Sequence, residues 1–244
     1  VINVNNNFSK TCWLTPNGAL RGLLEIIFLE NKLEIIILEG DTSEILDNFN
    51  KVIFPADDVA LSNSFSVSRF QEVDEINSWK VNQPLLFKNE DEEYEIYKNQ
   101  LNLLNYDELK FWKINQAIPS FKYEIDGKNN PLELGLTDLI DFNKGCFLGQ
   151  EKISKIKNAA PLKQEIRVWN SKASSINLES ENKNIYLNSS KDISVGKITS
   201  FYKLDHQIKG LAMIKKKYLE IGGYFYSEIY GKINIEKSIG SNFI

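Results

Sequence analysis

Lys144-Gly-Cys-Phe-Leu-Gly-Gln-Glu151 places two glycines, one thiol, one cation and an amide–acid pair within eight residues. Glycine permits positive φ and lets the main chain come close to a ligand or to another backbone. Lys144 stands two residues before Cys146, an arrangement that favours the thiolate, the form of cysteine that reacts and binds metal. From Gly149 the run Gln-Glu-Lys-Ile-Ser-Lys-Ile reads as a helix reaching about Asn158, with Glu151 in its first turn. A helix start adds partial positive charge, which lowers a nearby thiol pKa further and accommodates anions. The expectation is a turn that runs into a helix, with Cys146 as a functional thiol. The plainer alternative is a tight turn around a packed, inert cysteine.

Working outward from this octet, the pattern changes at Pro161. Upstream, Leu23–Leu29 and Leu33–Leu38 are β-rich runs joined by Glu30-Asn-Lys32 and read as a hairpin. Asp41-Thr-Ser-Glu44 has the look of a capping box, and Ile45, Leu46 and Phe49 supply a helical apolar face. Val59–Val67 reads as a return to strand. Asp91–Leu104 turns from acidic to apolar at helical spacing, and Tyr106–Ala117 is a further helix closed by Pro119. Downstream, Gln164–Trp169, Ile193–Thr199, Ile208–Ile214 and Tyr224–Tyr230 are short strands between polar or Gly-rich turns. Asn170–Lys183 reads as a loop. The fold class expected is α+β, with an α+β domain over 1–161 and a small antiparallel barrel or sandwich over 162–244.

The octet resembles the K-G-C-[FY]-x-G-Q-E signature of the YgfZ-type folate-binding proteins, relatives of the glycine-cleavage T-protein (aminomethyltransferase). Supporting segments follow in the family's order. Trp112–Pro119 resembles an R-I-E-x-G-x-P segment, Pro131–Leu136 a P-x-E-x-x-L lead-in, and Ile140-Asp-Phe142 an I-x-F lead-in. Gly196–Ser200 and Gly210–Ile214 are similar to its C-terminal barrel repeats. The family's usual opening, a strand–helix segment with a T-N-D turn, has no counterpart. The similarity begins near Thr11–Gly18: either the sequence is truncated or the first sheet lacks its usual edge strand, and a shortened sheet would expose an unpaired edge.

The resemblance implies a T-protein-like fold with a ferredoxin-like α+β region, and tetrahydrofolate or another reduced folate held in a central cavity between domains. It also implies support of iron-sulfur enzymes, including tRNA methylthiolases. Lys144, Gly145, Gly149, Gln150 and Glu151 would border the ligand, and Glu133 could accept from the pterin's donor edge. Lys113 stands where the family has arginine, keeping a cation but losing the planar fork. Asn115 replaces the glutamate with which T-proteins anchor the pterin, and an amide offers no charge-assisted bond. T-proteins carry no cysteine at the octet, and their catalytic aspartate has no match here. The leading expectation is therefore a folate-binding accessory protein for iron-sulfur cluster assembly or repair. A folate-dependent aminomethyltransferase is the alternative, and a folate-binding relative without activity is the third.

Composition limits the remaining classes. The formal net charge is −4, but Val1–Asn143 holds 12 basic and 24 acidic residues, whereas Lys144–Ile244 holds 17 and 9. A basic half suits polyanions such as nucleic acid or a polyglutamate tail. That half has one aromatic-rich basic stretch, Phe201-Tyr-Lys203, too little for a stacking platform, so no direct nucleic-acid binding is expected. Cys12 and Cys146 are too few for a disulfide framework or an all-protein zinc site, and one histidine, His206, is too few for a multi-histidine metal site. No phosphate-cradling glycine loop occurs. No run approaches the ~20 apolar residues of a membrane span. The expected partners are folate and iron-sulfur enzymes or assembly factors, and the expected setting is a monomer in a reducing cytoplasm.

Overall fold

Strand β2 (Leu20–Leu29) and strand β3 (Lys32–Gly40) form the hairpin read from the β-rich runs, with Leu29 opposite Lys32 and Leu23 opposite Glu39. The structure, a computed structural model, describes residues 8–73, 78–159, 161–172, 180–204, 206–220 and 223–236. Strand β1 (Phe8–Leu14) lies on the other side of β2, giving a three-stranded sheet in the order β1-β2-β3. A bulge between Leu23 and Leu24 breaks the strict alternation of a strand, and both side chains are buried. The chain then caps a helix, as the Asp41–Glu44 pattern requires: Asp41 Oδ1 accepts from the Glu44 N–H at 3.0 Å, and α1 (Thr42–Val52) buries Ile45.

The strand expected over Val59–Val67 is absent. Asp58–Val67 is irregular, and Val59, Leu61 and Phe65 remain exposed. Alternating apolar residues form a strand only where a neighbour pairs with them, and here the pairing begins later. Strand β4 (Ser68–Phe70) pairs with β5 (Leu85–Phe87), with the short helix α2 (Ser78–Val81) between them. Helix α3 (Glu92–Asn99) starts at an Asp91 cap and stops short of Leu101 and Leu103, which are exposed. Phe70, Phe87, Tyr94 and Tyr97 pack ring against ring at 5.5–5.8 Å between centroids.

These elements form one compact unit, comprising the described parts of Val1–Trp13 with Arg21–Leu103. A second unit comprises Leu14–Leu20 with the described parts of Leu104–Ile244. The barrel's first strand begins at Gln164, inside the second unit. That unit opens with α4 (Tyr106–Asn115), whose Asn105 side chain and Glu108 carboxylate cap each other's backbone in a capping box. Helix α5 (Gln150–Ala159) follows the octet and buries Ile153 completely.

Six strands then close into an antiparallel barrel: β6 (Gln164–Lys172), β7 (Asn184–Tyr186), β8 (Ser194–Leu204), β9 (Gln207–Lys215), β10 (Tyr224–Ser227) and β11 (Gly231–Ile235). Their order around the barrel is β10-β11-β6-β9-β8-β7, so each strand is paired on both sides. Trp169, Ile185, Val195, Ile198, Ala212, Ile214, Phe225 and Ile233 fill the interior. The patterning exposes four of these strands. It misses the three-residue β7, and it takes Tyr224–Tyr230 as one strand. The chain turns after Ser227, whose Oγ accepts from the N–H groups of Ile229 and Tyr230, and β11 then runs back antiparallel to β10. Of the loop expected over Asn170–Lys183, the first residues belong to β6, and 173–179 lie outside the described residues.

Candidate functional site

The octet is anchored at its second half. Thr15-Pro-Asn-Gly18 closes a β-turn in which the Gly18 N–H donates to Thr15 O at 2.9 Å, and Thr15 Oγ1 accepts from the Ala19 N–H at 3.0 Å. Gly149, at φ +80°, lies directly against that turn. A Cβ there would stand 2.7 Å from Thr15 O and 2.8 Å from Gly18 Cα. Gly18 is itself at φ +76°, and a Cβ on it would meet Ile153 at 3.1 Å. Two glycines thus allow two main chains to touch, with Ile153 sealing the contact from α5. Gln150 completes the turn: its N–H donates to Phe147 O at 3.1 Å, and its Oε1 accepts from the Phe147 N–H at 3.2 Å.

The first half is open. Lys144, Gly145 and Cys146 are exposed, and nothing lies within 4 Å of where a Gly145 side chain would begin. Lys144 carries its ammonium over the Phe147 ring at 5.3 Å, and Lys157 of α5 covers Phe142 at 3.8 Å. The structure therefore presents Cys146 as a solvent-accessible thiol on a turn whose far end is rigid. Glu151 pairs with Lys155 at 2.7 Å along the exposed side of α5, and that lysine holds its carboxyl below the ordinary range. Glu151→Gln is expected to leave the thermal midpoint unchanged, because an exposed i,i+4 pair adds little.

Lys113 and Asn115 sit in the last turn of α4. Asn115 Oδ1 accepts from Lys209 Nζ of β9 at 3.1 Å, and Lys209 also pairs with Glu236 at 3.2 Å. Glu133 forms a reciprocal pair with Asn130: Glu133 Oε2 accepts from the Asn130 N–H at 3.2 Å, and the Glu133 N–H donates to Asn130 Oδ1 at 3.0 Å. Its backbone oxygen accepts from the Ile166 N–H of β6 at 2.8 Å. Burial pushes the Glu133 carboxyl pKa up, against the Asn130 and Gln164 hydrogen bonds and Lys163. All nine candidate residues lie in the second unit. They rest on different neighbours: the octet packs against the Thr15–Gly18 turn and bonds within itself and to α5, Asn115 bonds to β9, and Glu133 bonds to its own turn and β6.

Sequence reasoning missed Glu124. Its carboxylate is fully buried and accepts from the Ser120 N–H at 3.0 Å and the Ser200 hydroxyl at 2.7 Å. In Phe121-Lys-Tyr-Glu-Ile-Asp126 it reads as one more polar loop residue, and no local signal distinguishes it. His206 is exposed, and no group of three or more His, Cys, Asp or Glu side chains suited to a metal occurs among the described residues. No helix among them is long and apolar enough to cross a membrane.

Comparison with solved structures places the architecture. The glycine cleavage system aminomethyltransferase T of Bartonella henselae superposes over 95% of this chain and 75% of its own, with a TM-score of 0.57. The chain has the T-protein fold. At 10% identity the likeness is one of fold, and residue roles do not follow from it. Among curated proteins, a chloroplastic candidate transferase of Arabidopsis thaliana is 34% identical over 112 residues, 45% of this chain. The matched stretch spans only 24% of that relative's length. No protein-family model matches the chain.

Proposed function

We propose that this protein is a folate-binding accessory factor that supports iron-sulfur cluster assembly or repair and iron-sulfur enzymes such as tRNA methylthiolases, with Cys146 as its functional thiol. The observation that carries the reading is an exposed cysteine on a backbone-locked turn, in a chain with the T-protein fold. A thiol held this way is accessible to a partner or a soft metal without unfolding of the protein.

The residues present suit a reduced folate in part. Asn115, with its oxygen engaged by Lys209, offers an N–H donor to a ring carbonyl. Glu133 offers a carboxyl oxygen to the ring's donor edge, although burial reduces its readiness to ionise. Lys113 and Lys144 supply cations for a glutamyl tail. Folate, when bound, would supply a one-carbon carrier, and these side chains would orient it. Loss of a charged anchor and of a bidentate fork costs about 1–3 kcal/mol each, so affinity is expected at the micromolar level or weaker. Calorimetry with tetrahydrofolate tests this, and no heat at millimolar folate would remove the ligand from the account.

The second reading is a folate-dependent aminomethyltransferase, favoured by the fold shared with the Bartonella henselae aminomethyltransferase. The two readings separate at one atom. Cys146→Ser is expected to leave folding and folate affinity intact and to lower iron-sulfur enzyme activity in cells, since serine is neither a comparable nucleophile nor a soft ligand. A transferase of the T-protein kind depends on a carboxylate, so its turnover would survive the substitution. Aminomethyl transfer by the purified protein, unchanged in the serine variant, would decide for the enzyme.

A further inference from the structure

We infer that Glu124 is a proton-sensitive pin that fixes the 117–130 segment to barrel strand β8 and so positions the surface carrying Lys113, Asn115 and the octet. The pin is a matter of covalent and hydrogen-bonded continuity within the second unit. The segment leaves α4 immediately after Asn115 and passes through Ala117, held at φ +51°, to Ser120. There the Glu124 carboxylate accepts from the Ser120 N–H, closing its own loop, and from the Ser200 hydroxyl across to β8. The Thr199 hydroxyl, which donates to Leu211 O at 3.0 Å, lies beside this carboxyl. These two hydroxyls come from the stretch where β8 carries a bulge between Ile198 and Ser200. On the far side, Asn129 Nδ2 donates to Glu124 O at 3.1 Å, and Asn129 O accepts from the Leu20 N–H at 2.8 Å. Leu20 follows the Thr15–Gly18 turn on which Gly149 rests. One carboxyl group thus stands between the α4 end and the turn that seats the octet.

What makes the pin respond to protons is the company it keeps. The groups facing the carboxyl are Ser120, Thr199 and Ser200, none of them charged, and the carboxyl is fully buried. Among the described residues no cation pairs with it. Its titratable sequence neighbours are engaged elsewhere: Lys122 covers Phe121, Asp126 pairs with Lys128 at 3.3 Å, and Tyr123 is exposed. Burial therefore raises the Glu124 pKa, against the hydrogen bonds that favour the anion. A group raised in the folded state contributes its full stability below its unfolded pKa near 4.5, and that contribution is lost as pH rises through the folded value. Glu133 shifts in the same direction, so the test must isolate Glu124.

The effect on the ligand rests on the folate reading above, and the effect on stability does not. Glu124→Gln keeps the shape and fixes the group neutral. Thermal midpoints of wild type and variant are to be measured from about pH 5 to about pH 8.5 in the same buffers, with tetrahydrofolate affinity at both ends. The variant is expected to gain on the wild type as pH rises, by about 3–5 °C for each unit of pKa displacement in a chain of this size. Folate affinity should fall more steeply with pH in the wild type than in the variant, in which Glu133 still titrates. A midpoint gap that is constant across the range overturns the pin. A gap that opens while the pH dependence of folate affinity is the same in wild type and variant overturns the coupling to the site. A gap that opens with no folate binding at any pH supports the pin and defeats the folate reading. Should Glu124→Gln fail to fold, Ser200→Ala serves: it removes a donor to the anion, so its deficit against wild type should grow with pH, and a constant deficit overturns the pin.

Discussion

Gly149→Ala will unfold at a much lower urea midpoint than the wild type, and Gly145→Ala, four residues earlier in the same octet, will not. The added methyl at 149 meets main-chain atoms, Thr15 O at 2.7 Å and Gly18 Cα at 2.8 Å, and a backbone cannot yield as a side-chain tip can. The left-handed conformation at φ +80° adds about 1–2 kcal/mol for any residue with a Cβ. Overpacking adds about 1–3 kcal/mol. Together these approach half of the roughly 5–15 kcal/mol that holds an ordinary domain folded. At Gly145 the φ is not positive and nothing lies within 4 Å, so the alanine should be tolerated within about 0.5 kcal/mol. Urea denaturation of the two variants side by side measures the contrast. Equal midpoints would mean that the Thr15–Gly18 contact does not hold the octet.

That contrast also shows what is legible in the amino-acid pattern. The turn-to-helix form of the octet, the capped start of α1, the β2–β3 hairpin and four barrel strands are announced by residues close together in sequence. Gly149 signals a special backbone, but its partner is a turn more than a hundred residues earlier, and only the fold reveals why glycine is needed. Strands β7 and β11 stay hidden because three to five residues carry too little alternation to be counted. Val59–Val67 has the alternation and lacks the partner. Glu124 and Glu25 are the clearest misses. Both stand among polar or strand-like neighbours, and burial of a carboxylate depends on groups contributed by distant segments, Ser200 in one case and Arg69 in the other. Among the candidate ligands, Asn115 reads from sequence as an amide able both to donate and to accept, while the fold gives its oxygen to Lys209.

Glu25→Gln is expected to be the most damaging single polar substitution in the first unit. Glu25 lies on β2, fully buried, with Arg69 Nε 2.8 Å from Oε2, Arg69 Nη2 2.6 Å from Oε1 and Lys10 Nζ 2.6 Å from Oε1. Burial alone would raise the Glu25 pKa, but the Arg69 fork and the Lys10 ammonium outweigh it and hold the carboxyl below the ordinary range. Lys10 shows the other side of the balance: burial lowers its pKa, and Glu25 only partly restores it. An amide at 25 leaves two cations, one of them almost wholly buried, without their counter-charge. Breaking a buried pair in this way costs about 3–5 kcal/mol. Lys10→Met should cost less, because Glu25 keeps the bidentate Arg69 and methionine fills the apolar space beside Phe8. In the double variant the buried lysine that Glu25→Gln strands is gone, so its loss should be smaller than the sum of the single losses. A carboxyl held low contributes stability above its unfolded pKa near 4.5, and that contribution disappears as pH falls through the folded value. The wild type should therefore lose its advantage over Glu25→Gln in acid, whereas its deficit against Glu124→Gln should grow toward alkali. Additive single losses in the cycle, or a Glu25→Gln deficit that does not shrink in acid, would show that the Lys10–Glu25–Arg69 group is not a coupled ionic cluster in solution.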